Sequence, residues 1–134
     1  MAGLVLKLAP KERVLINGAV LENDVRRSRF SIITPSANVL RLKDAIHPQD
    51  ATTPLSRTCY QIQLVLAGTT SPAIAAPQID AQLSDLNAVF EGTFCQTQLS
   101  EASLAVKNGK FYNALKSLKL LLPIEQNLLA RLAS

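Results

Sequence analysis

The side chains best suited to chemistry in this chain are cations. Arg26, Arg27 and Arg29 fall within one short stretch, and Arg41 and Lys43 follow as alternate residues. Guanidinium forks match phosphate oxygens bidentately, and a lysine ammonium supplies a compact point charge. Contacts of that kind are blind to base sequence and weaken as salt rises. Arg41, within a strand pattern, can instead meet a base edge or stack on a base. The three clustered arginines also have a plainer reading, as charges that keep an edge strand soluble. Spacing alone leaves both readings open.

Other chemistry is hard to assemble. The single histidine, His47, lies beside Pro48 with no second histidine or cysteine at ligand or triad spacing. The five glycines, Gly3, Gly18, Gly68, Gly92 and Gly109, never cluster into a phosphate loop. The carboxylates are scattered and suggest no acid/base pair. Cys59 and Cys95 fit no metal or redox spacing, and both sit among apolar residues, where cysteine acts as a small hydrophobe. We therefore expect a binding protein rather than an enzyme, with no catalytic residues, no metal and no cofactor.

The cations need a scaffold, and the composition can supply one. Apolar residues make up 48% of the 134, but aromatics only 4%, so a core must come from Leu, Ile, Val and Ala. That length suits one compact unit or two small ones in contact. The formal net charge of +4 is uneven: residues 1–53 carry eight basic against five acidic residues, and residues 54–134 carry six against five. A basic front half permits an anionic partner such as RNA. The start turns charged too early for a signal peptide, and no apolar run reaches the roughly 20 residues of a membrane helix. A cytoplasmic protein with free thiols, and no membrane partner, is the expectation.

Period-two alternation at Leu4, Leu6 and Leu8 predicts a strand, ended by Pro10. Arg13–Ile16 and Ala19–Glu22 flank Asn17-Gly18, a type I′ hairpin signal. Asn23-Asp24 is a further turn. Arg29–Ile33, closed by Thr34-Pro35-Ser36, and Asn38–Leu42 complete a predicted five-stranded antiparallel meander with one partly basic face. Residues 47–54 are polar and turn-forming. Beyond them Leu55, Cys59, Ile62 and Leu66 mark one helical stripe, and Ile79, Leu83, Leu86 and Phe90 a second. Residues 69–77 read as a loose Pro/Ala connector. Leu99, Ala102 and Val106 mark a third helix, and Phe111, Leu115, Leu118 and Leu122 a fourth, which Pro123 kinks or ends. Residues 124–133 can make a short last helix. The predicted class is α+β: a small antiparallel sheet over 1–46, a linker over 47–54, and a bundle of about four helices over 55–134. The stripe of Phe111, Leu115, Leu118 and Leu122 is the candidate surface for a partner or a second copy.

These residues also carry a resemblance. Leu6-Lys7-Leu8-Ala9-Pro10-Lys11-Glu12, Asn17-Gly18-Ala19-Val20, Asn23, Arg26-Arg27, Val39–Ile46 and Thr53-Pro54 with Arg57-Thr58-Cys59-Tyr60 stand in the order of the FlbT flagellin-synthesis regulators of alpha-proteobacteria. The segment Phe111–Lys116 resembles that family's C-terminal pattern as well. Lys11 departs from it, where the family usually has Gly, and so does Leu42, where it usually has Glu. The resemblance implies a post-transcriptional repressor that binds the 5′ untranslated region of flagellin mRNA and lowers its translation and stability. It further implies a FlaF-type protein partner, and flagellin itself as a possible ligand. Ile32, Pro35, Val39, Arg41 and Ile46 also follow, more loosely, a pattern of the carbon storage regulator CsrA, which implies an RNA contact for Arg41. The other reading is a protein-interaction module that holds flagellin or the FlaF-type partner and affects mRNA indirectly.

Overall fold

A computed structural model describes residues 4–34 and 37–133 of the chain. Five strands come first: β1 (Leu4–Leu8), β2 (Arg13–Ile16), β3 (Ala19–Glu22), β4 (Ser28–Ile32) and β5 (Val39–Arg41). Five helices follow: α1 (Pro54–Leu66), α2 (Pro72–Val89), α3 (Cys95–Lys107), α4 (Phe111–Lys119) and α5 (Leu122–Ala133). Single 3₁₀ turns at Leu42–Asp44 and Pro48–Asp50 connect the halves. The α+β class and the order of its parts are those expected. The turn assigned to Thr34-Pro35-Ser36 falls partly on residues 35 and 36, which lie outside the described residues.

The meander is not observed. β1 pairs with β4, and β2 lies between β3 and β5, so the strands form two small antiparallel sheets. The chain leaves β1 at Pro10, which cannot donate to a ladder, and turns at Lys11 with φ 61°. That turn carries β2 away from β1 and frees β1 to receive β4. Asn17 and Gly18 take φ 51° and 85°, the left-handed pair that a type I′ hairpin requires.

Strands β2 and β5 of the central sheet divide their side chains between two cores, while β3 is exposed along its length. Val14 and Val39 face Leu6 and Leu8 in a small cluster that Phe30 and Ile32 border. Leu40 joins the large helical core, and Leu15 packs against it. The three-stranded sheet is therefore a middle layer, with β1–β4 on one side and helices on the other. Tyr112 of α4 touches both clusters. Side-chain clamps fix the connection between the layers. The Gln63 amide donates to the Ile46 carbonyl at 2.9 Å and accepts from the Ile46 N–H at 2.7 Å. Lys119 Nζ donates to the Asp44 carbonyl at 2.6 Å.

The helical stripes behave as their periodicity demands. Leu55, Cys59, Ile62 and Leu66 of α1 are buried, as are Ile79, Leu83, Leu86 and Phe90, and Leu99, Ala102 and Val106. Thr53 and Ser56 form a capping box at the start of α1, with Pro54 as its first residue. Residues 72–77 differ from the expected connector. Pro72 opens α2, and Pro77 is carried inside it. Pro72 fits a first turn, where its missing N–H is not needed. Ala75 is fully buried and anchors that turn to the core. Pro123 does end α4: the chain breaks after Lys119, and proline sits in the first turn of α5.

Lys11 offers a direct test of the β1–β2 turn. A left-handed conformation costs an L-residue about 1 kcal/mol, and glycine avoids that cost. Its ion pair to Glu22, 4.0 Å long and exposed, contributes little in compensation. Lys11→Gly is expected to raise the free energy of unfolding by about 0.5 kcal/mol in urea denaturation. A loss of 1 kcal/mol or more would show that the turn is held by the lysine itself.

Candidate nucleic-acid interface

The eight basic residues before position 54 divide into two groups of four. Arg41 and Lys43 lean on Glu12, and Lys11 and Arg13 lean on Glu22. Lys7, Arg26, Arg27 and Arg29 make no ion pair among the described residues, and all four are exposed.

Strand register collects this second group. In the β1–β4 ladder, Leu6 faces Phe30 and Leu4 faces Ile32, with their side chains turned to the small core. The alternate pairs, Val5 with Ser31 and Lys7 with Arg29, point outward. Lys7 and Arg29 are thus direct cross-strand neighbours of like charge, an arrangement that costs stability in the absence of an anion. Arg26 and Arg27 lie just before β4, on the loop that enters the same ladder. Asn23 shapes this loop: its side-chain amide donates to the Ala9 carbonyl at 2.8 Å and to the Arg26 carbonyl at 2.9 Å. The Asp24 carboxylate accepts from the Val25 N–H at 2.8 Å and closes the turn. Two cations on the β1–β4 ribbon and two on the loop that enters it can hold successive phosphates of a nucleic acid.

Arg41 has a different place from the one expected. Its Nε donates to Glu12 Oε2 at 2.6 Å, and its Nη2 donates to Glu12 Oε1 at 2.8 Å and to the Lys7 carbonyl at 2.7 Å. The Arg41 side chain is 18% exposed and that of Glu12 only 6%. This fork ties β5 to the β1–β2 turn, where the Ala9 N–H also donates to Glu12 at 2.9 Å. The guanidinium pulls the Glu12 carboxyl down to about 2, with the Ala9 N–H assisting against the cost of burial. Glu12 in turn raises the Arg41 pKa. Arg41 therefore positions the ribbon and has its hydrogen-bonding edge occupied by the protein. Lys43 stays 57% exposed, 4.0 Å from Glu12.

The expected partner stripe is corrected more completely. Phe111, Leu115 and Leu118 are 3%, 3% and 0% exposed, sealed in the chain's own large core. Leu122 belongs to α5, not α4, and packs partly against the same core. A helical stripe looks alike in sequence whether it meets its own fold or a partner, and here the fold takes it. Cys59 and Cys95 are buried free thiols, and burial pushes Cys59 up to about 12, which leaves it unreactive. Lys7 was not among the expected site residues. The alternation of β1 shows that it points outward, but only the pairing of β1 with β4 places it beside Arg29.

The family model described as flagellar protein FlbT matches residues 4–129. A probable flagellum biosynthesis repressor protein FlbT of Rhodopseudomonas palustris (strain TIE-1) is 30% identical over 129 residues, 96% of this chain and 98% of that protein. The correspondingly named protein of Chelativorans sp. (strain BNC1) is 28% identical over 125 residues, 93% of this chain and 85% of its own length. That of Brucella abortus (strain S19) is 28% identical over 124 residues, 92% and 80%. No solved structure matches the chain. From the N-terminal ribbon to the last helix, this chain belongs to the FlbT family of flagellar proteins.

Proposed function

We propose that this chain represses flagellin synthesis by binding the 5′ untranslated region of flagellin mRNA on the outer face of β1–β4. The observation that carries this reading is the set of four cations without acidic partners among the described residues, with Lys7 directly opposite Arg29. An RNA backbone relieves their mutual repulsion and releases its own counterions, which drives association. A leader held on this ribbon is withheld from ribosomes, and its translation falls. The contacts reach phosphate rather than base edges, so the ribbon supplies affinity, and selection among leaders comes from RNA shape. Arg41 contributes by bracing the turn below Lys7.

The test is filter binding of a flagellin leader RNA across a salt series. Removing Arg26, Arg27 and Arg29 together, each to Ala, is expected to weaken binding by about 30-fold at low salt. The slope of log affinity against log salt should fall by about 2, given roughly 0.7 per phosphate contact on a single strand. Lys7→Ala alone should lower the slope by about 0.7. Unchanged affinity and slope in both variants would remove this face from RNA recognition. Retention of flagellin or a FlaF-type partner, with no retention of RNA, would make the effect on mRNA indirect.

A further inference from the structure

The seam between the two layers closes on an aromatic ring that the ribbon does not use. Tyr112, in the first turn of α4, packs against both the small core and the large one. It stands close to Arg41 of β5, an outer strand of the middle sheet. The side chain is partly exposed, and its hydroxyl makes no hydrogen bond among the described residues. Burial raises the pKa of the phenol, which stays protonated and able to donate. The surroundings of the ring are cationic. Lys116, one turn further along α4, holds its Nζ 5.8 Å from the ring centroid. Lys116 is exposed and makes no ion pair among the described residues. Helix α4 contains no acidic residue. The carboxylates near the ring are already engaged, Asp44 by Lys119 at 3.7 Å and Glu12 by Arg41 through both oxygens. Lys43, on the turn that follows β5, keeps its ammonium exposed, 4.0 Å from that occupied Glu12.

We propose that Tyr112 is a subsite for one unpaired RNA base, with Lys116 and Lys43 holding the phosphates on either side of it. The proposal rests on the reading of β1–β4 as an RNA-binding ribbon and adds to it a requirement for single-stranded RNA. An aromatic ring flanked by cations, with its neighbouring acids used up, offers both parts of a nucleotide a place. The π-face takes the base and the ammonium groups take the backbone. Every base has a π-face, so this subsite senses whether a base is unpaired and not which base it is. In an A-form duplex the bases are stacked within the helix and only phosphates, hydroxyls and base edges reach the surface. The four-carbon stem of lysine is flexible, so Lys116 can swing from the ring to a phosphate as the base arrives. Arg41 joins the subsite to the ribbon. Its Nη2 donates to the Lys7 carbonyl at 2.7 Å, and its guanidinium lies close enough to Tyr112 for the two to act on one another's titration. A strand whose phosphates cross Lys7 and Arg29 can therefore turn a base onto the ring.

The experiment compares two RNAs by filter binding to the full chain: oligouridylate, and the same strand paired with oligoadenylate. Tyr112→Leu is expected to weaken oligouridylate binding about tenfold, the effect of losing one stacked base. Its duplex affinity and its salt slope should stay at the wild-type values, because no phosphate contact is lost. Tyr112→Phe keeps the ring and should retain most of the single-strand affinity. Lys116→Gln should lower the single-strand salt slope by about 0.7. A second measurement does not depend on how well Tyr112→Leu folds. The chain has no Trp and two tyrosines, Tyr60 and Tyr112, so in Tyr60→Phe all tyrosine emission comes from Tyr112. Saturating oligouridylate should quench that emission, and the duplex should leave most of it. No quenching, or equal quenching by both RNAs, overturns the proposal. So does a Tyr112→Leu variant that binds oligouridylate as tightly as the wild type. Equal loss of both RNAs in that variant also overturns it, since a tyrosine that only fills the seam would behave so. If the triple arginine variant loses both RNAs while Tyr112→Leu loses neither, the ribbon stands and the subsite falls. A wild type that retains neither RNA overturns both.

Discussion

Arg41→Ala is expected to lower the free energy of unfolding by about 3 kcal/mol in urea at pH 7. The substitution leaves the Glu12 carboxylate, 6% exposed, with only the Ala9 N–H and a distant lysine for company. Breaking a fully buried pair costs roughly 3–5 kcal/mol, and the partial exposure of Arg41 sets the lower end of that range. Arg41→Lys should recover little, because an ammonium cannot supply the two parallel N–H donors that reach Oε1 and Oε2. A cycle with Glu12→Ala should show a coupling of about 2 kcal/mol, since either single change already removes the pair. The acid limb gives a second check. The Glu12 carboxyl titrates at about 2 in the folded chain against 4.5 unfolded. A lowered folded pKa means that the contribution is complete above pH 4.5 and is lost as pH falls toward 2. Glu12→Gln should flatten the fall in stability across that window. Near-wild-type stability of Arg41→Ala would return this arginine to the list of RNA contacts. The bracing role also requires that, under conditions where the variant is fully folded, its RNA affinity stays close to wild type.

Glu125→Ala should cost about 3 kcal/mol and loosen one end of the helical half. The carboxylate accepts from Thr53 Oγ1 at 2.5 Å and from the Leu55 N–H at 3.0 Å, across the start of α1. Leu55 is the second residue of that helix, and its N–H has no carbonyl partner within it. An anion here also meets the positive end of the α1 dipole. Truncation leaves a buried donor orphaned and unfastens α5 from α1 at once. Glu125→Gln keeps the shape and one acceptor, and should lose only about 1 kcal/mol. Hydrogen exchange should show the amides of α5 losing protection in Glu125→Ala, while those of α3 and α4 keep theirs. A uniform loss across all helices would mean that α5 is an integral part of the core and not a latched segment.

Much of the fold was legible because it is local. Asn17-Gly18 had to bend left-handed, and does, because few other residue pairs tolerate two positive φ values. The helical stripes of α1, α2 and α3 emerged buried because a 3.6 period survives whatever the stripe packs against. The start of α2 was missed because Pro72 and Pro77 signal a break only when no core pulls on the turn between them, and Ala75 supplies that pull. Lys11 sits at a positive φ, a conformation that glycine adopts at less cost than lysine.

The chemistry was legible only by type. Spacing identified Arg26, Arg27 and Arg29 as a cationic group and offered Arg41 as its companion. It carried no information on which acids would claim which cations. Glu12 and Arg41 are 29 residues apart, Lys7 and Arg29 are 22 apart, and Glu125 reaches back 72 residues to Thr53. Each of those pairings depends on strand order or helix docking. These are decided by how the whole chain shares out its apolar surface between two cores. By itself, then, the sequence determined the elements, their outward and inward faces, and the kind of charge they carry. Only the tertiary structure decided which cations are used up in bracing the fold and which remain for a ligand. A charge is free or paired according to its neighbours in space, and periodicity along the chain does not name them.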